Sequence, residues 1–157
     1  MEKESIQAYS QRITQANRSE LTVITYEILI EHISNAQKSF ENRNAFVSDI
    51  ENAQAFLKEL MVSLDFNYEI SYNLLSLYIF MNKQLIEAKL RNSVEMLPRV
   101  QNMLEGLLSS FKEVSKQDTS QPLMQNTQKI YAGLTYGRND VNEMPLAGND
   151  SNRGFRV

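Results

Sequence analysis

Apolar residues recur at helical spacing through the first 121 residues, and Pro98 and Gly106 are the only proline and glycine among them. Strands in a compact fold need turn residues more often than that, so the pattern predicts an all-α chain. One helix is predicted from Asn17 to about Glu41–Asn44. Asn17 can cap its first turn while Glu20 reaches back in a capping box, and Asn42-Arg43-Asn44 breaks the periodicity. A second helix runs from about Ala45 to Asp65, with Phe46, Ile50, Ala53, Leu57, Leu60 and Leu64 along one face. Residues 66–70 read as a connection, and a third helix follows from about Ser71 to Arg91. Asn92 with Glu95 offers another capping box for a fourth, which carries Leu97, Val100, Leu104, Leu107, Phe111 and Val114. Pro98 fits either its first turns, with a slight kink, or a later start.

Four helices of about 20 residues on short links predict an antiparallel four-helix bundle. It spans residues 17–116, with residues 1–16 as an N-terminal arm and residues 117–157 as a largely flexible C-terminal extension. The final 15 or so residues have the polar composition of a disordered tail. Within the extension, Thr127–Gly137 is modestly apolar and fits a short fifth helix or an extended docked segment.

The second and fourth predicted helices each show one dominant apolar stripe. The first and third show two. On the third, Leu74, Leu77, Tyr78, Met81, Leu85 and Ala88 lie together, and Leu75, Ile79, Ile86 and Leu90 form a second row roughly 120–140° away. On the first, Leu21, Ile24, Ile28 and Leu29 make one side and Val23, Tyr26, Ile30 and Ile33 another. A helix packed between two neighbours needs such a wide face. Left in water, the second rows would mark an interaction site, covered by the chain's own tail, by a second copy in a homodimer, or by another protein. Ile130, Tyr131, Leu134 and Tyr136 are the tail residues apolar enough for that role. The two helices are diagonal in a simple bundle, so only an extended partner wrapping around it could use both rows.

Composition narrows the function. The net charge is −3, and 16 basic residues are scattered among 19 acidic ones, whereas a nucleic-acid binder needs a basic stripe. No run reaches the roughly 18 apolar residues of a membrane span, and the amino terminus lacks the apolar core of a secretory signal. The chain reads as soluble and cytoplasmic. It has no cysteine and a single histidine, His32. Neither a metal site, a cofactor nor an enzyme is expected. Asp65 and Glu69 are the nearest approach to paired carboxylates, and they flank a connection where charges are solvated.

Gln7-Ala8-Tyr9, Glu20-Leu21-Thr22, Tyr26, Ala53, Leu57, Glu59-Leu60 and Ser63-Leu64-Asp65 form a series with Ile70, Asn73-Leu74, Leu77-Tyr78, Met81, Leu85 and Ala88. In order and spacing, over about residues 6 to 115, the series resembles the flagellar secretion chaperone FliS family. Asn17-Arg18 stands where that family opens its helix with Ser-Pro, Ile28 where it has glycine, and Ile79-Phe80 where it has a polar-aromatic pair. The resemblance implies a helical bundle that binds the disordered C-terminal segment of flagellin, prevents premature assembly and delivers the subunit to the flagellar export gate. Tyr9 then belongs either to a flexible arm or to an arm that packs near the flagellin site and yields to it. Tyr26 and Tyr78 fit a groove edge or a buried core with bonded hydroxyls, and Asn73 fits a bond to a partner backbone or a support for the connection before it. The candidate partner-binding set is Tyr9, Tyr26, Ile30, Ile33, Asn73, Leu75, Tyr78, Ile79, Ile86 and Leu90. A self-associating bundle without a flagellin client is the alternative.

Overall fold

The computed structural model describes residues 1–124. The extension beyond them, including Thr127–Gly137 and the apolar set from Ile130 to Tyr136, lies outside the described residues. Five helices follow in order: α1 (Lys3–Gln15), α2 (Arg18–Lys38), α3 (Arg43–Val62), α4 (Ile70–Arg91) and α5 (Leu97–Gln117). Helices α2 to α5 are the predicted bundle. Among the described residues one further helix, α1, lies at the amino terminus, where the sequence pattern predicts an arm.

Side-chain bonds between helix ends fix the antiparallel order. Arg18 at the start of α2 donates to the Ser63 carbonyl just past α3, and Arg43 at the start of α3 reaches the Lys89 carbonyl and Asn92 at the end of α4. Gln37 near the end of α2 meets Gln101 near the start of α5, while Lys112 pairs with Glu27 at 3.2 Å. Helix α2 packs closely on α3 and α5, α4 packs on the same two, and α1 lies outside on α2.

The helix ends follow from local chemistry. Asn17 caps α2, its side-chain oxygen accepting the Glu20 N–H at 2.9 Å, and Asn42 caps α3 through Ala45 in the same way. Asn92 serves the opposite end from the one expected. It adopts a left-handed conformation (φ 50°) as the C-cap of α4, a position asparagine tolerates well. Helix α5 accordingly starts at Leu97, with Pro98 in its first turn, where a missing N–H costs nothing.

The core is built from Tyr26, Leu29, Ile33, Phe46, Ile50, Leu57, Tyr78, Met81, Leu85, Leu97, Val100 and Leu104, all fully buried. The predicted single stripes of α3 and α5 face inward as expected, except that Val114 at the end of α5 is exposed. At the centre, the hydroxyls of Tyr26 and Tyr78 hydrogen-bond to each other across the diagonal from α2 to α4, with Phe111 stacked on the Tyr26 ring at 5.2 Å. Burial pushes both phenols up from their ordinary pKa, so the pair stays neutral at any physiological pH. Replacing either tyrosine by phenylalanine strands the other hydroxyl without a partner, an expected loss of about 1–3 kcal/mol. The double phenylalanine variant should lose less than the sum, as urea unfolding of the four proteins will show.

Candidate interaction surface

Helix α4 has one covered face and one open one. Ser71, Leu74, Tyr78, Met81, Leu85 and Ala88 are buried against α2, α3 and α5. The second row, about 130° round the helix, stays outside. Ile79 is 43% exposed, Ile86 39% and Leu90 77%, with Leu75 half-buried beside them. Tyr72, seven residues before Ile79, extends the row to the first turn and is 58% exposed. Asn82 lies on the α3 side of the row and accepts a hydrogen bond from Gln54 at 3.0 Å. On the opposite flank, Phe80 is half-buried beneath the Arg99 guanidinium, 5.2 Å from its ring centre.

The row continues past the helix start. Phe66 packs on Tyr72 with ring centres 5.2 Å apart, and Val62, Tyr68 and Ile70 in the same stretch of chain are also exposed. The connection that presents these side chains is braced from within. Asp65 accepts the Asn67 N–H and its side-chain amide, and the Ser71 hydroxyl donates to the Asp65 carbonyl. From Tyr72 to Leu90 the row spans about 27 Å along α4 at 1.5 Å per residue. Exposed apolar side chains gathered along one helix face, with Asn82 and Lys83 between Ile79 and Ile86, mark a place where another chain binds.

The two-faced pattern of α2 has the other explanation. Tyr26, Leu29 and Ile33 are buried in the main core on one side, and Ile24 and Ile28 are buried against α1 on the other. Helix α2 has neighbours on three sides because α1 covers what the bundle leaves open. Tyr26, Ile33 and Tyr78 are therefore core residues, not groove-edge residues, and no partner reaches them in this conformation. Asn73 is exposed but sits about 120° round α4 from Ile79, so it does not join the row. Among the described residues it is Asp65, Asn67 and Ser71, not Asn73, that support the connection.

Tyr9 and Ile30 come together at a second place. Helix α1 buries none of its own residues fully and has no side-chain N-cap. It rests on α2 through Tyr9 and Ile13, which pack on the cluster that holds Ile24 and Ile28, and through the Arg12–Glu27 ion pair. An open groove flanks it on each side, about 650 Å³ towards α5, bordered by Tyr9, Ile30 and Leu108, and about 570 Å³ towards α3, bordered by Tyr9, Ile28 and Phe56. Tyr9 borders both, and its phenol is pushed up to about 12 by burial first and by the neighbouring Glu31 carboxylate second. His32 lies at the floor of the second groove, bonded to Asp49 at 3.0 Å and stacked on Phe56. Helix α1 is the most lightly packed of the described helices and lies between these two grooves.

Among the described residues no three His, Cys, Asp or Glu side chains are placed to hold a metal, and no helix is long and apolar enough to cross a membrane. A helical bundle with one apolar helix face left open and one peripheral helix lightly attached is the architecture of a binding protein. Residues 1–118 match the family described as flagellar protein FliS, and the chain belongs to that family. The flagellar secretion chaperone FliS of Bacillus subtilis (strain 168) is 29% identical over 113 residues, which are 70% of this chain and 82% of that protein. A solved structure described as a flagellar chaperone from bacteria shares the fold, with a TM-score of 0.60 at 16% identity over 72% of this chain and 98% of its own. Membership in the FliS family makes the protein a chaperone of flagellar export.

Proposed function

We propose that the protein is a cytoplasmic export chaperone whose client is the C-terminal segment of flagellin, held off its assembly partners until it reaches the flagellar export gate. The observation that carries this reading is the open row Leu75, Ile79, Ile86 and Leu90 on α4, unused by the chain's own described residues. Apolar burial contributes roughly 25 cal/mol per Å² of covered surface, and ordering a flexible client offsets much of that gain. The result is a hold firm enough to block polymerisation and weak enough to release at the gate. No catalytic group is required.

Both candidate surfaces border α3. The α4 row adjoins it through Asn82 and Gln54, and the groove towards α3 is bordered by Phe56 and Asp49. A client segment extended across α3 can therefore use both, which a straight groove joining the diagonal helices α2 and α4 could not. Co-purification with full-length flagellin, and with flagellin lacking its C-terminal segment, tests the reading. The expected result is a 1:1 complex with the first and none with the second. A stable homodimer whose mass is indifferent to flagellin would overturn it in favour of self-association.

A further inference from the structure

The chain does not leave the bundle at the end of α5. It turns back at Asp118 and runs as a strap, residues 118–123, over the junction between α1 and α2. Three side chains hold it. The Ser19 hydroxyl donates to the Asp118 carboxylate, which also accepts the Ser120 N–H at 2.9 Å. The Asn17 side-chain amide donates to the carbonyls of Asp118 and Ser120 at 3.3 and 3.4 Å. The strap ends with the Leu123 N–H on the Ala16 carbonyl at 3.0 Å, and Leu123 borders a hollow between α2 and α3 with Leu21, Thr25 and Leu60. These hydrogen bonds to Asp118 hold its carboxyl down at about 2, so its charge is constant at physiological pH.

Two residues therefore serve three elements. Ala16 is the C-cap of α1, its N–H bonded to Ile13, and its carbonyl anchors the strap. Asn17 uses its oxygen to cap α2 and its nitrogen to hold the strap, and both sets of partners select the same amide orientation. Aspartate or serine could cap α2 as well, but neither has an amide nitrogen to donate to two carbonyls at once. Cap and clasp together require asparagine.

We propose that α1 and the 118–123 strap are two halves of one clasp, coupled through Ala16 and Asn17, so that lifting either half loosens the other. Displacement of α1 by a partner entering its flanking grooves then frees residues 118–123 from the bundle, and occupancy at the amino-terminal side is passed to the carboxyl-terminal side. The coupling is reciprocal by thermodynamic necessity, and it is a property of the chain whatever the client is.

Hydrogen exchange on the full-length chain, without any partner, tests it. Asp118→Ala removes the strap's bond to Ser19 and touches no residue of α1, yet the amides of α1 from Ile6 to Gln15 should exchange about three- to tenfold faster. Ile13→Ala touches only the seat of α1, yet the Leu123 amide should speed up by a similar factor. Asn17→Ser keeps the α2 cap and should reproduce the Asp118→Ala result, with the core amides of α3 and α5 unchanged in all three. If each variant speeds only its own segment, the two halves are independent and the proposal is overturned. A uniform rise that includes α3 and α5 would also overturn it, because the junction would then be part of the global fold.

Discussion

Replacing Ile79 and Ile86 together by aspartate is expected to weaken flagellin binding by about 100-fold or more while leaving the urea midpoint nearly unchanged. Fully covering an isoleucine is worth about 1.5–3 kcal/mol, and about 1.4 kcal/mol is a factor of ten in affinity. Both side chains are already more than a third exposed in the free protein, so little folding energy depends on them. Substitutions at such positions usually change stability by about 0.5 kcal/mol or less. Titration calorimetry with a C-terminal flagellin peptide, paired with urea unfolding of the free variant, separates the two effects. Unfolding of the variant would place these residues in the core after all. Unchanged affinity in a folded variant would move the client to the grooves beside α1.

How far the sequence could be read depended on how many neighbours each helix has. The single stripes of α3 and α5 translated directly into buried faces because Phe46, Ile50, Leu57, Leu97, Val100 and Leu104 face a core from one side only. The double stripes of α2 and α4 look alike in sequence and have opposite fates. Periodicity reports that a face is apolar, not which element covers it, and the element covering α2 is α1. That helix was hard to see. It is 13 residues long, near the length at which an isolated helix is marginal in water, and its apolar residues number only Ile6, Ala8, Tyr9 and Ile13. Their spacing was helical, but the docking site that stabilises the helix is a tertiary feature.

The tyrosines and asparagines were ambiguous for a different reason. Tyr26 and Tyr78 could sit at a groove edge or in a core, since a phenol is buried readily once its hydroxyl has a partner. The partner of each proved to be the other, 52 residues away. Asn92 was read as opening α5 because asparagine favours N-caps, yet it also tolerates the left-handed turn that closes a helix. In the candidate surface, Tyr72 escaped notice although its seven-residue spacing to Ile79 and Ile86 was a sufficient signal. Phe66 and Tyr68 could not be assigned, because their exposure depends on the turn that Asp65 and Ser71 build.

The opposite result is expected two residues along the same helix. Met81 is fully buried, about 200° round α4 from Ile79. Met81→Asp would place a carboxylate in the core cluster with no cation to pair it. Losses above about 4 kcal/mol come from this kind of change, against a total stability of about 5–15 kcal/mol for a domain. The variant should therefore lose much of its cooperative urea transition and fail to hold flagellin because it is unfolded, not because a contact is missing. Met81→Leu, which keeps volume and polarity, should cost less than about 1.5 kcal/mol and bind normally. The contrast tests the orientation of α4 itself. If aspartate is tolerated at 81 and not at 79, the helix is rotated and the row assigned to the client is the core. If both are tolerated, α4 contributes little to the fold, and the bundle must draw its stability from α2, α3 and α5. Far-UV circular dichroism through a urea series on Ile79→Asp, Met81→Asp and Met81→Leu distinguishes these outcomes, with the chain folded in the first and third and unfolded in the second.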